Sequence, residues 1–198
     1  LGKSGVKILN MLEIIENFLP IPEVNKLEKE LHSSAFPYYY QDTLTSSIDD
    51  ERGDDEKTQF FFCHTLYRDG KITSEWAKIA DILLLKINST ARRSSFKRTP
   101  FNIERAKINC YPRMQKNLKS DRHIDQSYKH IVALYSVNTC NGGTIFHEEE
   151  AKNIHTKPKP LFIPSVKNTL ILCDGNIPHQ AVGQTDTKLR LNINLNLT

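Results

Sequence analysis

From Leu189 to Leu197 apolar and polar residues alternate without a break. Leu189, Leu191, Ile193, Leu195 and Leu197 are separated by Arg190, Asn192, Asn194 and Asn196. A period of two puts each set on its own face of a β-strand. The pattern predicts a strand with one face on an apolar layer and the other toward a polar interior or solvent. Phe101–Tyr111 divides the same way, with Arg105, Lys107, Asn109 and Tyr111 opposite Ala106, Ile108 and Cys110. Further short β-rich runs cover Ile131–Val137, Thr144–His147, Leu161–Ile163 and Thr169–Cys173, set off by Asn141-Gly142-Gly143, Asp174-Gly175 and several prolines.

The first half carries the helical signals. Pro22 suits a first helical turn, and Val24, Leu27 and Leu31 recur at helical spacing. A second helix follows Thr73-Ser74-Glu75, with Trp76, Ile79, Ala80, Leu83, Leu84 and Ile87 on one broad stripe. Phe36–Tyr40 and Phe60–Tyr67 read as strands. The acidic stretch Asp49–Glu56 between them reads as a surface loop, and Tyr38–Gln59 as a loop long enough for a lid. The expected fold is α+β, mainly β: a sandwich or barrel of jelly-roll type with an N-terminal helical support layer. We expect one domain over 1–198, with 11–99 as helical support and lid-like loops and 100–198 as the jelly-roll core. Met11 is a candidate natural start, which would make residues 1–10 a non-native extension.

Composition narrows this picture only slightly. With 198 residues, 38% of them hydrophobic, the chain can fill one core. A net charge of +4 is too small to announce a nucleic-acid partner. No apolar run is long enough to span a bilayer, and no secretory signal pattern opens the sequence. Cys63, Cys110, Cys140 and Cys173 are widely spaced and lack C-x-x-C, so reduced, mostly buried thiols in a cytoplasmic protein are expected.

The candidate chemistry begins at His123-Ile124-Asp125. In an extended segment the imidazole and the carboxylate project together, and with a second imidazole they would occupy one face of a non-haem Fe(II) ion. The tripeptide alone says little: 7 His and 11 Asp in 198 residues give roughly 0.4 such matches by chance. The surrounding order says more. His179 follows a strand, a turn and Pro178. Arg190 comes 11 residues later on the polar face of the last strand, and Tyr111 precedes His123 by 12 residues.

This ordered set resembles the Fe(II)/2-oxoglutarate-dependent dioxygenases, in their prolyl-4-hydroxylase-like branch. The stretch Ile108–Leu197 is similar to the catalytic region of the hypoxia-sensing prolyl hydroxylases. The pieces that carry the likeness are Asn109-Cys110-Tyr111-Pro112, Arg122-His123-Ile124-Asp125, Ala133-Leu134-Tyr135, Asn141-Gly142-Gly143-Thr144 and Pro178-His179. The resemblance implies a double-stranded β-helix (jelly roll) in which His123, Asp125 and His179 ligate iron. Arg190 would pair with the distal carboxylate of 2-oxoglutarate, with Tyr111, Asn192 and Asn109 as further cosubstrate contacts and Lys188 as a rival anchor. It implies Fe(II), 2-oxoglutarate and O2 as reaction partners, with release of succinate and CO2. Asp125 favours hydroxylation over halogenation, and a peptidyl proline or a small molecule is the expected substrate.

Other features have plainer readings. His147 with Glu148, Glu149 and Glu150 reads as a solvated loop, since no His follows at H-E-x-x-H spacing. His130 reads as structural or near the substrate entrance, while His32, His64 and His155 lack partner patterns. Gly142-Gly143 reads as a tight turn. Arg92, Arg93, Lys97 and Arg98 around Phe96 make a basic stretch that could meet nucleic acid, but a solvated linker between helix and strand is the favoured reading. The branch of the oxygenases that repairs nucleic acids carries R-x-N-x-x-x-R. Arg190-Leu191-Asn192 matches its opening, but Asn196 stands where the second Arg belongs. Nucleic acid therefore ranks below a peptide or small molecule. Two alternatives remain: a non-redox metal-binding jelly-roll module, and a nucleic-acid-directed oxygenase or binding protein.

Overall fold

Two antiparallel sheets and two helices make up the structure, a computed structural model that describes residues 6–9, 12–42, 60–91, 96, 100–148 and 160–198. The strands are β1 (Val6–Leu9), β2 (Leu12–Glu16), β3 (Tyr39–Gln41), β4 (Phe61–Arg68), β5 (Lys71–Ile72), β6 (Ile103–Pro112), β7 (Ile131–Ser136), β8 (Gly143–Phe146), β9 (Leu161–Pro164), β10 (Thr169–Asp174), β11 (His179–Val182) and β12 (Leu189–Leu197). Helix α1 spans Ile21–Leu31 and α2 spans Lys78–Ala91, the latter entered through a 3-10 turn at Glu75–Ala77. The larger sheet runs β1-β2-β10-β7-β12-β6-β4-β3, with β5 on β4, and the smaller runs β11-β8-β9. This is the expected jelly roll, mainly β. Among the described residues, no helix is long and apolar enough to cross a membrane.

The helices form where their ends are prepared. Pro20 caps α1 with Pro22 just inside it, and Ser74 Oγ accepts the Trp76 N–H at 3.0 Å before α2. The α2 stripe buries Ile79, Ala80, Leu83 and Ile87 against the large sheet. They meet Leu191, Ile193, Leu195 and Leu197 of β12 and Ala106, Ile108 and Cys110 of β6. The apolar face of the last strand thus covers itself with the helical layer, as its alternation requires. A second core lies between the sheets, where Val132, Leu134, Ile171 and Cys173 face Phe146, Ile163 and Ile177.

The N-terminal region holds more sheet than its sequence suggests. β2 pairs with β10, with Ile14 opposite Ile171, and so belongs to the main sheet. Its Leu12 and Ile14 enter the inter-sheet core while Ile15 enters the helical core. Burial on both faces erases the alternation that marks a half-buried strand. Val6–Leu9 extends the sheet by pairing with β2. The predicted strand at Phe36–Tyr40 shrinks to Tyr39–Gln41, because Phe36 closes a turn with its N–H on the Ser33 carbonyl. Met11, Asp49–Glu56, most of the Tyr38–Gln59 loop, Arg92, Arg93, Lys97, Arg98, Glu149, Glu150 and His155 lie outside the described residues.

The four cysteines are free thiols; Cys110, Cys140 and Cys173 are buried and Cys63 is half-buried. Gly142 and Gly143 are there for close approach. A Cβ on Gly143 would lie 2.3 Å from the Ile163 carbonyl oxygen, and one on Gly142 2.7 Å from that of Val182. His147 and Glu148 are buried, against the solvated loop expected of them. The His147 N–H reaches the Pro178 carbonyl at 2.9 Å, and its ring lies 3.0 Å from Gln180 Oε1, so the segment carrying β11 covers it.

Candidate functional site

The polar face of β12 is buried, not solvated. Antiparallel pairing with β6 sets Arg190 beside Tyr111, Asn192 beside Asn109, Asn194 beside Lys107 and Asn196 beside Arg105. Two alternating strands in register produce one polar surface inside an apolar molecule. The smaller sheet lies over it, and Phe146, Val132 and Leu134 supply apolar wall.

His123 and His179 face each other across an isolated bridge. The His123 N–H donates to the His179 carbonyl at 3.1 Å and the reverse bond is 2.9 Å. Their ring centroids are 4.7 Å apart. Asp125 projects to the same point, with Oδ1 at 4.0 Å from Nε2 of each histidine. One ligand atom from each of the three residues lies within 4.8 Å of the other two. The remaining heteroatoms are already engaged. Nδ1 of His123 is 3.0 Å from the Asp121 carbonyl and Nδ1 of His179 is 3.2 Å from that of Ile177. A proton on each Nδ1 would leave the Nε2 lone pairs aimed inward. Asp125 Oδ2 accepts from Asn194 Nδ2 and Asn196 Nδ2 at 2.9 Å each, which leaves Oδ1 to the centre. Asn196, which breaks the nucleic-acid-repair pattern, therefore has a job orienting this carboxylate.

The electrostatics favour a divalent cation. Burial pushes the Asp125 carboxyl up, but His179, Lys107 and the two amides outweigh it and hold the group well below the usual carboxylate range. Burial, and then His179 beside it, push His123 down, toward the neutral form that ligates. His123 is 31% exposed, against 10% for His179 and 3% for Asp125, so the centre opens on the His123 side. The donor set of two imidazoles and one carboxylate suits a first-row divalent metal with positions to spare.

Toward the other end of the face lies Arg190. It is 2% exposed, and among the described residues no carboxylate pairs with it. Nη2 reaches Thr144 Oγ1 at 3.2 Å, Nη1 reaches the Val182 carbonyl at 3.4 Å, and Nε has no partner. Its guanidinium carbon lies 5.0 Å over the Tyr111 ring, which stacks on Phe61 at 5.4 Å. Burial raises the Tyr111 hydroxyl pKa and Arg190 partly offsets the rise. Asn109 Nδ2 donates to Asn192 Oδ1 at 2.8 Å, and Asn109 Oδ1 is left without a partner. A buried guanidinium beside orphaned polar atoms is costly unless an anion completes it.

His123, Asp125, His179, Arg190, Tyr111, Asn192 and Asn109 all line one cavity. Lys188, the rival anchor, does not: it is exposed and precedes the first residue of β12, so the strand's alternation does not extend to it. His130 is buried, with Nδ1 2.7 Å from the Tyr128 carbonyl and its ring against Gly175. His64 lies among Pro37, Ser74 and Phe36 in the helical core. Several cavity residues received no role from the sequence, Ser120, Asn194, Thr144 and Lys107 among the polar ones. Thr144 was visible only as part of a motif, and Lys107 only as one member of an alternating face.

No family model matches the chain, and the search of curated proteins finds no match. The search of solved structures finds many. An oxidoreductase of the 2OG-Fe(II) oxygenase family from Burkholderia pseudomallei superposes with a TM-score of 0.67 at 12% identity, covering 95% of this chain and 85% of that one. A prolyl hydroxylase from Trichoplax adhaerens, solved with a hypoxia-inducible-factor peptide fragment, gives 0.56 at 20% identity over 95% and 83%. The α-ketoglutarate-dependent epimerase SnoN of nogalamycin biosynthesis gives 0.63 at 10% identity over 95% and 78%. The chain has the double-stranded β-helix fold of the 2OG-Fe(II) oxygenases.

Proposed function

We propose that this protein is an Fe(II)- and 2-oxoglutarate-dependent oxygenase that hydroxylates a peptide or small molecule. One observation carries the reading: three metal-ligand atoms converge on a face that also buries an unpaired guanidinium. His123 Nε2, His179 Nε2 and Asp125 Oδ1 would hold the iron. The Nδ1 bonds and the Asn194 and Asn196 amides fix those ligands before any ion arrives. Arg190 would grip the distal carboxylate of 2-oxoglutarate, where a planar guanidinium can make two parallel hydrogen bonds. Tyr111 supports that guanidinium from one side, and Asn109 and Asn192 offer amide contacts between it and the metal ligands. Phe146, Val132 and Leu134 keep bulk water from the centre. Iron(II) there, with 2-oxoglutarate and O2, supplies oxidative decarboxylation to succinate and CO2, with one oxygen atom inserted into a substrate C–H bond.

Anaerobic addition of Fe(II) and 2-oxoglutarate to the full chain should give a visible metal-to-ligand charge-transfer band. The band should vanish in His123→Ala, Asp125→Ala and His179→Ala, and Arg190→Ala should weaken 2-oxoglutarate binding while retaining the metal. Fe(II) binding with neither band nor succinate formation would identify a metal-binding module without turnover. Salt-dependent oligonucleotide binding would instead favour a nucleic-acid partner. Matched structures with this fold include both a prolyl hydroxylase and an epimerase, so peptide and small-molecule substrates belong in one screen with succinate as readout.

A further inference from the structure

The metal triad divides the polar face into two unequal ends. Arg190, Tyr111, Asn192 and Asn109 occupy one end and have the role assigned above. At the other end, in register with the asparagines that hold Asp125, stand Lys107 and Arg105. Strand rise puts Lys107 about 13 Å along β6 from Tyr111, the partner of Arg190. A single 2-oxoglutarate held by Arg190 therefore leaves these two cations to some other group.

Neither Lys107 nor Arg105 has a direct ion-pair partner among the described residues. Arg105 Nη1 reaches only the Asp125 main-chain carbonyl, at 3.4 Å, and Lys107 Nζ lies 5.9 Å from the centroid of the Phe61 ring. The nearby carboxylate that acts on Lys107 is Asp125, which is committed to the metal centre. Thr65, opposite Lys107 on β4, is uncharged, and burial pushes the Cys63 thiol up against the opposing pull of Lys107, Arg105 and Arg68, so it supplies no anion. Glu104 and Asp69 act with Arg105 on Tyr128 at the rim and form no pair with either cation. Burial and the neighbouring Arg105 both push Lys107 down. Two adjacent basic groups whose nearby counter-charge is the metal-committed Asp125 oppose folding, and such a local conflict marks a place kept for binding.

We propose that Lys107 and Arg105 form a recognition point for an acidic group on the substrate, a carboxylate or a phosphate ester, beside the metal centre and remote from Arg190. The assignment rests on the oxygenase reading for the word substrate, while the anion site itself does not. Lys107 lines the same cavity as His123 and Asp125, so an acid held there keeps the adjoining carbon atoms near the metal. Arg105 offers a planar fork and Lys107 a point charge, a pair that accepts either anion.

The test uses the full chain with saturating 2-oxoglutarate and Zn(II) as a redox-inert ion. Inorganic phosphate, methyl phosphate and acetate are titrated separately and followed by NMR shifts of the Arg105 Nε–H and neighbouring amides. Saturable binding is expected, weakened about tenfold or more in Lys107→Met and in Arg105→Met and retained in Lys107→Arg and Arg105→Lys. Tighter methyl phosphate than acetate would assign a phosphate ester, and the reverse a carboxylate. Unchanged affinity in both Met variants, or no saturable binding of any anion, overturns the site. A second arm loads Fe(II) and compares matched acid and amide compounds for stimulated succinate formation; equal stimulation by both overturns the substrate class. If 2-oxoglutarate fails to bind but the Lys107- and Arg105-dependent anion site persists in its absence, the oxygenase reading fails while the site stands.

Discussion

The two faces of β12 share one backbone and are both buried, yet they are buried for opposite reasons. On the helix side Leu191, Ile193, Leu195 and Leu197 pack against apolar neighbours, and every contact lowers the free energy of the folded chain. On the other side Arg190, Asn192, Asn194 and Asn196 are equally withdrawn from water, but two of their polar atoms, Arg190 Nε and Asn194 Oδ1, lack partners. Burial of that kind opposes folding. The first face holds the sheet together so that the second can be kept unfinished. Apolar packing supplies stability, and the incomplete polar surface supplies a place for ligands.

Substitutions along this one strand can break that contrast. Leu195→Ala removes a fully buried side chain from the helical core and should destabilise the protein by about 2–5 kcal/mol, read from denaturant unfolding. A loss below 1 kcal/mol would mean that the helix side is not the stabilising one. One residue on, Asn196→Ala should act on the centre. Asp125 Oδ2 loses one of its two amide donors, and metal affinity should fall about 10–100-fold by competition with a chelating dye. Arg190→Met should move stability the other way. Exchanging an unpaired buried cation for an apolar chain of similar length should leave the unfolding free energy unchanged or raise it by about 1 kcal/mol, while 2-oxoglutarate binding is lost. A destabilised Arg190→Met would show that the polar face is already complete without a ligand.

The smallest effect lies on the helix side and depends on pH. Burial, and then its 2.6 Å bond to Asp81, push the Tyr67 hydroxyl up to about 12. The unfolded chain ionises near 10, so between pH 10 and 12 the unfolded state binds fewer protons and stability falls as pH rises. Tyr67→Phe should flatten that part of the unfolding profile. An identical slope in the variant would assign the alkaline loss to another group.

Legibility followed burial. β12 and β6 could be read because each buries one face in hydrocarbon and the other in polar contacts, which preserves a period of two. β2 could not, because Leu12, Ile14 and Ile15 fill both cores and a short apolar run fits helix and strand alike. β11 was missed for its brevity: His179–Val182 is four residues, and its pairing with β8 is a long-range event without a local signature. Among the candidate site residues, the histidines and Asp125 announced themselves by chemistry and order. Asn194, Asn196 and Lys107 were visible as members of alternating faces, but their tasks emerged only from register across two strands. His147 misled because three glutamates suggest solvent, while its main-chain N–H is bonded to the Pro178 carbonyl and its ring meets the Gln180 side chain.

The main-chain bridge between His123 and His179 ties a largely irregular segment after β6 to the edge of the smaller sheet. Ser120 joins the same seam, its N–H on the Ala181 carbonyl and its hydroxyl accepting the Ala181 N–H. An ion ligated by both imidazoles would therefore also act as a rivet between two stretches far apart in sequence, and the mechanical order of the cavity mouth would follow metal occupancy. Amide hydrogens along that seam should exchange slowly with the metal bound and faster after chelation, so the chain would register its cofactor in its own local rigidity.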